Sequence, residues 1–336
     1  MKTIKKTFAI ILALTLFQSC KDTNNSKGTE TNANTSSNIE IDEKQAYINK
    51  YNAYIAIWND VSPRVERSYN SLYNIINDKT GNPLKESEKY YIPAVPESSA
   101  IDYLERILNE KPEIPELDKL GPDIIKSYKA FREPLQQLSD YYKLQSYLDD
   151  DFEKSRELYF KIRGPIKNFI KASDALGPIL QEIDNKLSTE ALVEYKENNQ
   201  LLLYNKGMII NSLKKHTAPL YEINYQEYDQ LDLETYDQNL KELIAHYNAF
   251  KKLANDKDRL KREMNISRPS PFIIYYMDID NYIKASRELR ELSRNPKKYK
   301  AMKNTTESMG IGFASASHEK VTKAAEKVIN SSNSLN

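Results

Sequence analysis

Glu242 and His246 stand four residues apart. On a helix that spacing puts a carboxylate and an imidazole on one face, where they could hold a metal ion. A di-iron bundle needs more, namely Glu-x-x-His twice with further glutamates on neighbouring helices. That pattern is absent, and the simpler reading is an exposed ion pair along one helix. The run Asp149-Asp150-Asp151 offers oxygens that could hold a hard cation. It equally suits a helix start, where carboxylates meet unpaired N–H groups and the positive end of the dipole, and capping is the preferred reading. The sequence has no phosphate-cradling glycine loop, no Gly-x-Ser-x-Gly elbow and no His-Glu-x-x-His pair. The expectation is therefore no catalytic residue, no metal site and no cofactor.

Cys20 is the one cysteine, and it carries chemistry of another kind. Lys2, Lys5 and Lys6 precede an apolar run from Phe8 to Phe17. That run has the length of a signal-peptide core and is too short to span a bilayer. Leu16-Phe17-Gln18-Ser19-Cys20 resembles a bacterial lipobox, with a small residue just before the cysteine. In this reading residues 1–19 are a lipoprotein signal peptide, and the Cys20 thiol becomes a thioether to diacylglycerol at the new N-terminus. Two or three acyl chains anchor firmly where one is marginal. The plainer alternatives are an ordinary signal peptide or a cysteine packed in an N-terminal helix. A single thiol closes no intramolecular disulfide, which agrees with a role in lipid attachment. Lys21 to Asn38 has no apolar residue larger than alanine, so it cannot offset its ordering entropy. Residues 20–40 are expected to be the lipidated cysteine and a disordered tether. Lys21 in place of an aspartate removes the enterobacterial inner-membrane retention signal. The expected address is the cell envelope, on the outer membrane of a Gram-negative bacterium.

Helices must position whatever chemistry the chain has. Glycine is scarce, at 8 residues in 336, which argues against the many tight turns of a β architecture. From Ile41 apolar residues recur at spacings of three and four. Tyr51, Tyr54, Ile55, Trp58, Val65 and Leu72 share one face, with a kink expected near Pro63 and Trp58 expected in the core. Proline-rich connectors follow at 81–99 and 111–122, with a short helix between them. Further helices are marked by Ile124 to Tyr142, by Phe152 to about Leu187, by Leu192 to Leu213, by Tyr236 to Ala254 and by Ile279 to Leu292. A weak last helix covers Glu319 to Ile329. The expected fold is all-α, a bundle of long antiparallel helices with proline-rich connectors, over residues 41–336 as one domain. Basic and acidic residues balance at 49 and 48, which gives no basic face for nucleic acid.

Tyrosine is in excess, at 24 residues. Tyr90-Tyr91, Tyr141-Tyr142, Tyr221, Tyr225, Tyr228 and Tyr275-Tyr276 fall near loops and helix ends. Such rings suit a sugar or peptide surface, but core packing is preferred. Tyr51 to Asp60 echoes Tyr247 to Asp256, each opening Tyr-Asn-Ala and closing Asn-Asp. Asn52 with Asn59, and Asn248 with Asn255, lie two turns apart on one face. The preferred role for these amides is hydrogen bonding between helices; the other reading is that they line a ligand groove.

The lipobox, the polar tether, the opening Tyr-Asn-Ala-Tyr at 51–54 and the later stretches at 194–215 and 242–253 resemble the YiiG-like family of bacterial envelope lipoproteins. The resemblance implies an all-helical domain of unknown function and brings no catalytic residues. The expected role is a lipid-anchored, non-enzymatic envelope protein whose bundle binds a partner protein or an envelope glycan. The alternative is a metal-dependent binder or an enzyme with its site inside the bundle, built on Glu242, His246 and Asp149 to Asp151.

Cys20→Ala should abolish acyl labelling and either release the protein from the membrane fraction or block its processing. Equal membrane retention of the variant after a high-salt wash would contradict the anchor.

Overall fold

A computed structural model describes residues 33–84, 91–222, 231–295, 297 and 318–335. Cys20, the expected signal peptide and the first part of the expected tether lie outside the described residues. The described chain is all-α and contains no strand. It divides into two compact units, one up to Asp184 and the other from Asn185 onward. A single bundle over 41–336 was the expectation. The boundary falls inside one long helix whose apolar spacing runs on without a break, so the division leaves no compositional mark.

The first unit opens with α1, Ala33–Ala56, a π-helical turn, Ile57–Val61, and α2, Ser62–Ile75. Helix α1 begins inside the stretch expected to be tether. Lengthening an existing helix adds one hydrogen bond per residue fixed and avoids the nucleation cost, so even serine and asparagine can be drawn in. The expected kink near Pro63 takes the form of the π turn. Pro63 has no N–H to give and its ring crowds the preceding turn. The Ser62 N–H accordingly reaches back five residues to the Ile57 carbonyl, and the Ser62 hydroxyl joins it at 3.1 Å.

Helices α3, Ser99–Ile107, α4, Pro115–Asp118, α5, Gly121–Lys143, α6, Tyr147–Asp150, and α7, Glu153–Glu197, follow. Tyr51, Tyr54, Ile57, Val65, Phe131 and Phe169 are fully buried among them. The rings of Tyr128, Phe131 and Phe169 meet with centroids 5.6–6.0 Å apart. Buried Lys50 gives α1 a charged anchor: its Nζ donates to Asp118 Oδ2 at 2.8 Å and to the Glu110 carbonyl at 3.0 Å. Trp58 is half-buried, not a core residue, because it sits in the π turn beside exposed Asn59 and Asp60. Its indole lies against Gly177 of α7, so close that a Cβ there would stand 2.7 Å from the ring.

The second unit takes the end of α7 and then α8, Leu201–Glu222, α9, Leu233–Leu253, α10, Lys257–Met264, α11, Phe272–Ser293, and α12, His318–Asn333. The sequence spacing predicts a helix straight through Leu192 to Leu213, but α7 ends at Glu197. Asn199 adopts a left-handed φ of 55°, and Gln200 N–H closes on the Tyr195 carbonyl at 2.7 Å. Asparagine tolerates that conformation better than most residues, and the doubled asparagine is the local signal for the turn. Buried Glu263 of α10 caps the start of α8, accepting from the Leu202 N–H at 2.8 Å and from Arg259 at 2.7 Å. Helix α8 packs along α9, α10 and α12, and α11 packs along α9 and α12. Phe250, Phe272, Tyr275, Ile279 and Tyr282 form the heart of this core. No helix among the described residues is long and apolar enough to cross a membrane.

Candidate functional site

The residues singled out in the sequence are scattered through the structure, and most of them serve the fold. Asp150 caps the start of α7, accepting from the Lys154 N–H at 3.0 Å and from the Tyr141 hydroxyl. Those bonds hold its carboxyl below the usual range. Glu242 and His246 stand on α9, in the other unit. His246 is half-buried and its Nδ1 lies 3.0 Å from Asn205 Oδ1. Burial lowers its pKa against the opposing pull of Glu242. Among the described residues, no three His, Cys, Asp or Glu side chains are placed to hold a metal.

The tyrosine clusters resolve in part into core. Tyr141, Tyr142 and Tyr275 are buried, while Tyr91 is 72% exposed. Tyr90, Tyr225 and Tyr228 lie outside the described residues. The asparagines are not buried in helix seams. Asn248, Asn255 and Asn59 are exposed, and the half-buried Asn52 keeps an Oδ1 without a hydrogen-bond partner. The two halves of the echo also end differently. Asn59 and Asp60 lie in the π turn, whereas Asp256 caps α10 through the Arg259 N–H at 3.0 Å.

Asn248 does line a groove, the reading set second in the sequence. The groove, of about 750 Å³, runs between α9 and α11. Helix α9 contributes Ile244, Tyr247, Asn248 and Lys251, and α11 contributes Asp280, Ile283, Lys284, Arg287, Glu288 and Glu291. Spacings of three and four put each set on one helix face. The Tyr247 hydroxyl donates to Asp280 Oδ1 at 2.9 Å, which ties the two walls together. Lys251 Nζ sits 4.9 Å from the Tyr247 ring centroid and 5.4 Å from that of Tyr276. Lys284 and Arg287 are exposed. The sequence flagged Tyr247 and Asn248 but not the charged residues of the α11 wall.

His216 was given no role in the sequence and is more perturbed than His246. It is fully buried on α8, with Nδ1 bonded to the Tyr282 hydroxyl and its ring centroid 3.8 Å from that of Tyr236. Nε2 has no hydrogen-bond partner. Burial pulls the imidazole pKa down to about 3, so the ring is neutral and serves the core.

Residues 45–334 match the family described as "Protein of unknown function (DUF3829)". The chain is also 21% identical over 254 residues to the "Uncharacterized protein YiiG" of Escherichia coli (strain K12), which covers 74% of this chain and 69% of that protein. No solved structure matches.

The buried imidazole fixes a pH dependence. Between its folded pKa of about 3 and its ordinary value of 6.5, the unfolded chain binds a proton that the folded chain does not. Stability from this group is therefore complete above 6.5 and is lost on acidification, by about 1.4 kcal/mol per pH unit. In urea melts, His216→Gln should be less stable than the parent at pH 7, and the gap should narrow as pH falls toward 3. A gap that stays constant with pH would contradict this placement.

Proposed function

Because the chain belongs to the DUF3829 family, whose description assigns no activity, we propose its role from its own residues: a non-enzymatic, lipid-anchored protein of the cell envelope that binds another envelope protein through the α9–α11 groove. The make-up of the groove carries this reading. Basic Lys251, Lys284 and Arg287 are matched by acidic Asp280, Glu288 and Glu291, with Ile244, Ile283 and Leu292 among them. A protein segment bearing both signs of charge and an apolar side chain complements such a wall. A glycan is supported less well, because a sugar ring wants an open aromatic face and the Tyr247 ring is covered by Lys251. The anchor in this reading is the acylated Cys20, with the outer membrane as its address. The rival, a metal-dependent site, would have to build on Glu242 and His246 in one unit or on Asp149 to Asp151 in the other.

A photo-crosslinking residue at exposed position 248 of the full lipid-anchored chain tests this in intact cells. Adducts to a defined envelope protein should form, and should disappear when Lys284→Glu and Arg287→Glu are added. Both side chains are exposed, so the melting temperature should stay unchanged. Protein adducts that survive the charge reversal, or adducts to glycan alone, would overturn the reading.

A further inference from the structure

Three basic and three acidic side chains line the α9–α11 groove, but they are not equally free. Lys284 stands four residues from both Asp280 and Glu288, and Arg287 stands four from Glu291. That is the spacing of a helix ion pair, yet each acid turns elsewhere. Asp280 accepts from the Tyr247 hydroxyl at 2.9 Å. Glu288 pairs with Lys320 of α12 at 2.5 Å. Glu291 is held by Arg290 at 3.1 Å and by Arg294 at 3.4 Å. Lys251, Lys284 and Arg287, by contrast, form no ion pair among the described residues. Lys251 rests on the rings of Tyr247 and Tyr276, and all three bases are exposed. The groove is neutral by count, but the charge it presents is positive.

The wall also runs on beyond the groove. Ile273 and Met277, near the start of α11, are 57% and 58% exposed. Ile273, Met277, Asp280, Lys284, Arg287 and Glu291 follow one another at spacings of four, three, four, three and four, so they form one stripe along the helix. Two exposed apolar side chains thus share a face with two unpaired bases. From Ile273 to Glu291 the stripe is about 27 Å long at the helical rise, the length of about eight extended residues. Exposed apolar side chains gathered on one face mark an interaction surface.

We propose that this stripe and its groove bind a net-acidic, partly apolar segment of the partner protein. Its carboxylates meet Lys251, Lys284 and Arg287, and its apolar side chains cover Ile273 and Met277. The inference rests on the protein-binding reading above and narrows it. A segment rich in lysine or arginine would meet three like charges and find the acids of the wall already engaged. A bilayer surface offers anionic charge but is flat, and a groove between two helices suits a chain.

Selection of a random dodecapeptide display library on the full mature chain tests it. Enriched peptides should carry more Asp and Glu than Lys and Arg, with at least one large apolar residue. In fluorescence anisotropy the best of them should bind about tenfold or more weaker when Lys284→Glu and Arg287→Glu are combined. Ile273→Ser with Met277→Ser should weaken it about threefold or more. Should the charge-reversed variant fold poorly, Lys284→Gln with Arg287→Gln carries the same test, with the same loss expected. Groove-dependent peptides without an acidic excess, or acidic peptides held equally by either variant, would overturn this inference and leave protein binding standing. No enriched peptide, or phosphatidylglycerol vesicles bound through Lys284 and Arg287 in place of any peptide, would overturn both.

Discussion

A buried tyrosine hydroxyl left without a partner costs about 1–3 kcal/mol, and both units of this chain bury tyrosines. The demand for partners sets how the helices meet. In the first unit Tyr51 donates to the Leu180 carbonyl at 3.1 Å, Tyr54 to Asp118 at 3.0 Å and Tyr159 to Asp78 at 2.6 Å. In the second, Tyr236 donates to the Ser286 carbonyl at 3.3 Å, Tyr247 to Asp280 at 2.9 Å, and Tyr282 pairs with His216. Each bond joins elements far apart in sequence, so each fixes a register as well as a contact. Burial pushes these phenols well above their usual pKa, and the carboxylates beside Tyr54, Tyr159 and Tyr247 push the same way. They therefore remain donors at any ordinary pH. Tyr221, near the end of α8, and fully buried Tyr275 of α11 are exceptions, with hydroxyls that have no hydrogen-bond partner.

This constraint explains what could and could not be read from the sequence. The rings are legible, because apolar spacing of three and four places Tyr51, Tyr54, Tyr236 and Tyr247 on buried faces. Their partners are not, because Tyr159 and Asp78 lie 81 residues apart and nothing local links them. The same limit hides buried Lys206 of α8, since a lysine on a helix reads as solvated until a neighbouring helix covers it. Pro63 marked a kink in advance, though not its π form, and one local feature escaped for another reason. The turn at Asn199 keeps the apolar spacing nearly intact, so periodicity alone runs straight through it. Capping was more tractable. Asp150 does at α7 what a carboxylate before a helix is expected to do. The asparagines were assigned to seams because their spacing fits one, but Asn248 faces the groove, where an amide needs no buried partner.

The α9–α11 groove of the second unit follows from that packing. Where a tyrosine locks two helices, the residues one turn away are held apart at a fixed distance and leave a lined space. Tyr247 does this for the α9–α11 groove, whose charges balance in number.

Urea denaturation of tyrosine-to-phenylalanine variants tests the central claim most directly. Phenylalanine keeps the ring and deletes only the hydroxyl. Tyr54→Phe and Tyr159→Phe, which each remove one hydrogen bond to a carboxylate, of Asp118 and Asp78, should each lower stability by about 1.5–3 kcal/mol. Tyr91→Phe, at an exposed position, should change it by less than about 0.5 kcal/mol. Melts in which all three variants match the parent would mean that ring packing alone holds the helices, and would contradict the account.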